Sequence, residues 1–142
     1  MKILAVDYGD ARTGLAICDA GEWLASPVEV LHETNRKKLV EQIVARVSDL
    51  KAEEIVLGHP INMDGSLGPR SDLVKEIEKL LKEKTDIPIT LWDERRTTVA
   101  ATDILNKADV RGKKRKAVID AVAAVLILEG YLLYRKNNKP GG

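Results

Sequence analysis

The chain has one cysteine, two histidines and no fully apolar stretch longer than Ala121 to Leu128, and each shortage closes off a class of function. A lone thiol forms no internal disulfide, and Cys18, set beside Leu15-Ala16-Ile17, reads as a small buried side chain rather than a reactive nucleophile. His32 and His59 form no metal-ligand spacing. The apolar stretch is far too short to span a bilayer, and Met1-Lys2 leads straight into a strand pattern rather than a signal peptide. The expectation is a soluble cytoplasmic chain with no membrane partner. No linker or repeat divides the 142 residues, so one domain, 1–142, is expected, and 44% apolar content suffices for its core.

A net charge of +1 hides an asymmetry. Residues 1–94 carry 12 Lys/Arg against 18 Asp/Glu, whereas residues 95–142 carry 11 against 4. The second part is a candidate surface for a polyanion. Its densest piece, Arg111-Gly112-Lys113-Lys114-Arg115-Lys116, reads either as that surface or as a solvated loop.

Periodicity predicts strands at Ile3–Tyr8, Thr13–Asp19 and Trp23–Leu31, joined by turns at Gly9/Gly14 and Ala20-Gly21. A helix capped by Thr34 or Asn35 follows to Leu50, with Leu39, Ile43, Val44, Val47 and Leu50 on one face. Glu54–Gly58 is a buried strand, and a turn-rich loop leads to a helix from Ser71 or Asp72 to about Lys84. Ile87–Trp92 is a strand whose start or sheet edge Pro88 marks. A helix from Thr97 or Thr98 to Asn106, the basic loop, and a last helix from about Arg115 to Tyr134 complete the order βββαβαβαα. Right-handed crossovers then set the later strands parallel beside the meander. The result is an α/β architecture: a five-stranded mixed sheet, three antiparallel strands then two parallel, with helices on both faces. That is the layout of an RNase H-like domain.

Three acidic positions could meet on it. Asp7 ends the run Ile3-Leu4-Ala5-Val6, which is apolar on both faces and so belongs to a central strand. A carboxylate at such a strand end is costly without a partner. A divalent cation is one partner, and a turn in which Asp7 bonds its own backbone is another. Asp93-Glu94 closes the last strand near the carboxyl ends, where open α/β sheets hold ligands. Adjacent strand residues point to opposite faces, so one of the pair enters a shared site. The alternative is a surface pairing of Glu94 with Arg95 or Arg96. Asp120 sits on the stripe Asp120, Ala123, Ala124, Ile127, Tyr131, a charge on a face otherwise meant for the core. The helix dipole alone would explain the charge but not the stripe.

Three converging carboxylates could hold one or two Mg²⁺ or Mn²⁺ ions, because hard cations favour oxygen ligands. Two such ions, about 3.5–4 Å apart, activate an attacking water and stabilise the leaving oxygen of a phosphodiester. Basic residues near the acids, Arg12, Arg95, Arg111, Lys113, Lys114, Arg115 and Lys116, would hold the nucleic-acid backbone.

Four segments together, Asp7-Tyr8-Gly9-x-x-Arg12-x-Gly14, Gly58-His59-Pro60 with Asn62-Met63-Asp64-Gly65, Trp92-Asp93-Glu94-Arg95-Arg96-Thr97-Thr98, and Lys114-Arg115-Lys116-x-x-Ile119-Asp120-x-x-Ala123-Ala124, resemble the YqgF/RuvX family. Its members are described as pre-16S rRNA nucleases or Holliday junction resolvase-like proteins. The resemblance spans essentially the whole chain. It implies an RNase H-like fold and a metal-binding cytoplasmic nuclease, a hydrolase that matures the 5′ end of 16S rRNA during ribosome biogenesis. It implies Asp7, Glu94 and Asp120 as the catalytic, metal-holding acids, with Asp93 the nearest candidate for a fourth. The substrate is then pre-16S rRNA or branched DNA, and a homodimer is an option.

Two other classes compete. Actin-like ATPases and sugar kinases also begin with an acidic, glycine-rich hairpin, but they need two lobes and a second phosphate loop that 142 residues do not supply. A protein that binds structured RNA or DNA without cutting it would use the same basic stretch, and only the acids placed toward the core speak against it.

Overall fold

The structure is a computed structural model that describes residues 1–62, 64–94 and 112–138, without the side chains of 112–121 and 138. Five strands, β1 (Ile3–Asp7), β2 (Thr13–Cys18), β3 (Ala25–Leu31), β4 (Glu54–His59) and β5 (Ile89–Asp93), form one sheet in the order β3-β2-β1-β4-β5. β1 pairs antiparallel with β2, and β2 with β3, while β1–β4 and β4–β5 are parallel. This is the expected mixed sheet, three antiparallel strands and then two parallel. β3 is an edge strand, with Pro27 opposite Ala16 and a register shift between Leu15 and Ala16.

β1 lies in the middle, and Ile3, Leu4, Ala5 and Val6 are wholly buried, as an uninterrupted apolar run requires. Their alternation divides the core. Leu4, Val6 and Tyr8, with Ile55 and Leu57 of β4, pack against the helices α1 (Arg36–Leu50) and α2 (Pro69–Lys84). Ile3 and Ala5, with Val56 and Trp92, pack against α3 (Gly112–Asn138) through Ala124, Ile127, Leu128 and Tyr131. Each sheet face therefore has its own helical cover. No helix among the described residues is long and apolar enough to cross a membrane.

Local chemistry sets the element ends. Asn35 caps α1, its Oδ1 accepting from Lys38 N at 3.0 Å, and Lys51 closes it in the left-handed conformation with φ 58°. α2 begins at Pro69, earlier than the expected Ser71 or Asp72. Proline suits the first turn because no partner is needed for its missing N–H. β3 begins at Ala25 rather than Trp23, because Asp19 Oδ1 accepts from both Trp23 N (2.7 Å) and Leu24 N (3.2 Å) and winds that segment into a turn. β5 starts two residues after the expected Ile87, beyond Pro88, whose carbonyl accepts from Ile55 N. The expected helix from Thr97 or Thr98 to Asn106 lies outside the described residues.

Near the amino end of the parallel strands, a carboxylate is buried under α3. Glu54 is 6% exposed and accepts hydrogen bonds from the Tyr131 hydroxyl and from Thr90 Oγ1, with Arg135 Nη1 at 4.0 Å. Arg135 also donates to Glu22 at 2.7 Å, which holds that carboxyl below its ordinary range. Burial and the Glu54 hydrogen bond push the Tyr131 hydroxyl up.

Candidate active site

Asp7 is the last residue of β1, in register with Gly14 of β2, and strand parity puts it with Ile3 and Ala5 on the α3 face. The turn that follows is tight. A Cβ on Gly9 would lie 2.2 Å from the Arg12 carbonyl oxygen, so no side chain fits there. Thr13, wholly buried, joins the turn from within, its hydroxyl accepting from Gly9 N at 3.4 Å. Arg12 lies half-buried in this turn.

β4 and β5 bring the second acid. Gly58 pairs with Trp92 and His59 with Asp93, so both strands end level, and Glu94 follows directly. A Cβ on Gly58 would meet Glu94 Oε1 and Ile127 Cδ1, each at 2.7 Å. The Glu94 carboxylate therefore rests on a bare stretch of β4, which a side chain of α3 also approaches. That is the sheet face of Asp7, one strand away. Asp93, by parity with Ile89 and Leu91, belongs to the face covered by α1 and α2. Of the two adjacent acids, Glu94 is the one on the sheet face to which Asp7 belongs.

Position 120 falls in α3, on the stripe of Ala124, Ile127 and Tyr131, which are buried against the sheet. The side chain of Asp120 lies outside the described residues. Arg95 and Arg111 lie outside them altogether. Lys113 and Lys114 were expected in a loop ahead of a helix starting near Arg115, with Arg115 and Lys116 at its first turn. The backbone is helical from Gly112, since lysine and arginine are good helix formers, and only their side chains are undescribed. Among the described residues, no three His, Cys, Asp or Glu side chains gather to hold a metal ion. The described residues contribute the pair Asp7 and Glu94 to this face.

Three features escaped the sequence reading. Gly58 marked only a strand end, although the following His59-Pro60 signalled an abrupt one. Ser71, wholly buried at the start of α2, hydrogen-bonds His59 Nε2 at 2.6 Å and ties that helix to the end of β4. Arg70 Nη2 donates to the Tyr8 carbonyl at 3.0 Å, a contact across 62 residues that no local pattern announces. As for Cys18, it is buried as expected, accepting from Ile3 N, and burial raises its thiol above the ordinary range.

The family model described as "RuvX: Holliday junction resolvase" matches residues 1–134. A protein of Halothermothrix orenii named "Putative pre-16S rRNA nuclease" is 44% identical over 135 residues, covering 95% of this chain and 96% of that protein. A protein of the same name from Ruminiclostridium cellulolyticum is 39% identical over 140 residues, covering 98% of this chain and 99% of its own. Among solved structures, the Fowlpox virus resolvase with Holliday junction DNA aligns at TM-score 0.59 and 12% identity, covering 94% of this chain and 98% of that one. Thermus thermophilus RuvC with its Holliday junction substrate aligns at TM-score 0.55 and 16% identity, covering 94% and 96%. At such identities these two likenesses show a shared RNase H-like fold.

Proposed function

The chain belongs to the RuvX family of resolvase-type nucleases, and from that premise we propose that it hydrolyses phosphodiester bonds of pre-16S rRNA, trimming the 5′ end during ribosome biogenesis. The observation that carries this reading is the Glu94 carboxylate lying over side-chain-free Gly58, on the sheet face and at the sheet end where Asp7 sits. Two anionic oxygen donors on one face are a donor set that suits a hard divalent cation, Mg²⁺ or Mn²⁺. Asp7, Glu94 and Asp120 are the residues that would hold it, with Asp93 behind them on the other side of the sheet. When bound, such a cation supplies a lowered pKa for an attacking water and Lewis-acid stabilisation of the leaving oxygen.

The chain's own residues supply the frame. The short β1–β2 turn fixes the backbone after Asp7, and Gly58 leaves the space in which Glu94 turns inward. Arg12, Arg95, Arg111, Lys113, Lys114, Arg115 and Lys116 hold the nucleic-acid backbone through phosphate contacts, which confer affinity without sequence preference. In that role the protein works in the cytoplasm, as one domain over 1–142.

The second reading, cleavage of a Holliday junction in recombination, is favoured by the family description and differs only in substrate. One experiment separates the readings. Wild type and Asp7→Asn are incubated with precursor 16S rRNA and with a four-way DNA junction, in Mg²⁺, Mn²⁺ or EDTA. Metal-dependent trimming of the RNA by wild type alone is expected. Junction cleavage alone would favour the resolvase. No cleavage of either by protein freed of contaminating nucleases would leave a binding protein.

A further inference from the structure

We infer that Arg70 is a phosphate contact on the strand being cut, indexed to Asp7 by the main chain; the inference rests on the nuclease reading above. Arg70 stands in the first turn of α2, on the sheet face opposite α3. Its Nη2 donates to the carbonyl of Tyr8, the residue directly after Asp7. Its Nη1 lies 3.9 Å from Asp10 Oδ2 in the same β1–β2 turn. Both partners of that pair are well exposed, at 55% and 71%, so the pair is weak and readily exchanged.

A guanidinium carries five donors in a rigid fork. One is spent on Tyr8 and one faces Asp10, so the group is fixed in place without being used up. A phosphodiester oxygen is the ligand that matches what is left, since the arginine fork pairs with phosphate in two parallel bonds. Asp10 then acts as a stand-in that yields to the phosphate. The cations proposed to bind nucleic acid at 113–116 belong to α3, on the other face. Arg70 is thus a second point of attachment across the sheet end, and two points on either side of Asp7 fix which phosphate lies there. A single patch on α3 would leave the strand free to slide.

The test measures binding apart from cutting. Asp7→Asn protein in EDTA is titrated with a fluorescent single-stranded RNA oligomer at several KCl concentrations, with and without Arg70→Gln. The slope of log affinity against log salt should fall in magnitude by about 0.7, the loss of one phosphate contact on a single strand. Arg70→Lys should restore most of that slope, because it keeps the charge. In otherwise wild-type enzyme, Arg70→Lys should still cut less efficiently, because it loses the fork. An unchanged slope in Arg70→Gln, with a lower melting temperature, would mean that Arg70 only braces the turn, and the assignment would be overturned.

If Arg70→Gln does not fold, Asp10→Asn gives the second route. It should tighten binding by freeing Arg70, and that gain should be smaller when Arg70→Lys is added, because lysine keeps the charge but lacks the fork. Equal gains in both backgrounds would overturn the proposal. The nuclease reading fails separately. If the wild type cuts nothing while the slope still falls, the phosphate contact stands alone; if it cuts while the slope stays fixed, only Arg70 is wrongly assigned.

Discussion

The two ends of the sheet under α3 treat a carboxylate in opposite ways. Near the amino end, Glu54 is surrounded by Tyr131, Thr90 and Arg135, and Arg135 is held in turn by Glu22. At the carboxyl end, Glu94 lies over a glycine, in the space beside β4 that the methyl end of Ile127 also borders. The first arrangement surrounds a buried charge with donors drawn from two elements, β5 and α3. The second clears space around a charge on the face of Asp7. Burial of an acid is therefore not by itself the mark of a working site; what differs between the two ends is the kind of neighbour supplied to it.

The sharpest break of the comparison is Asp7→Asn. Cleavage should fall by about a hundredfold or more, since one anionic ligand of the proposed cation is lost. Nucleic-acid binding should persist, and urea unfolding should show stability held or raised, because less negative charge is crowded at that end. Cleavage at the wild-type rate would mean that the chemistry lies elsewhere.

At the amino end, Glu54→Ala should lower unfolding free energy by about 3 kcal/mol, because it strips partners from Tyr131 and Arg135 in a buried network. Cleavage by the folded fraction should be little changed. A variant that lost activity but not stability would show that the two ends are coupled rather than separate.

Gly58→Ala tests the cleared space. The added methyl meets Glu94 Oε1 and Ile127 Cδ1 at 2.7 Å. Overpacking of this kind costs about 1–3 kcal/mol, measurable by urea titration. Activity should fall further than stability does, because the flexible glutamate gives way before the helix. Full activity would show that Glu94 does not act from this position.

The smallest effect is in acid. Arg135 holds the Glu22 carboxyl below its ordinary range, so the folded state binds this proton less readily than the unfolded chain. The stabilisation is present above the usual glutamate range, about pH 4.3, and is lost as pH falls through the lowered folded value. Arg135→Met should therefore flatten the acid limb of a stability–pH profile below that range. An identical limb in both proteins would remove Glu22 from the account.

Much of this was legible because it is local. Four buried residues in a row announced β1, the glycines of the first turn announced the hairpin, and Asn35 announced the start of α1. The carboxyl-end acids were legible as strand-end residues, and parity alone required that Asp93 and Glu94 diverge. The resemblance favoured Glu94, and the structural support for it is Gly58, whose missing side chain matters only because β4 lies beside β5. Glu54 looked like an ordinary strand-opening glutamate, since its partners lie 36 and 77 residues away. Ser71 looked like an ordinary helix start, but its hydroxyl is used by His59. Arg70 carried no signal, because its meaning lies in a main-chain oxygen of another element. Contacts between distant segments leave no periodicity behind.

The irregular outer strand bears on how copies of the molecule meet. β3 is one border of the sheet, and Pro27 within it has no N–H to offer, while the register shift at Leu15/Ala16 bends the ladder beside it. A border of that kind is a poor template for another chain to zip onto. Self-association by continuous sheet through β3 is disfavoured, so a two-fold assembly of this protein would join through helical surfaces or the opposite border, and the β3 side would stay open to solvent at high concentration.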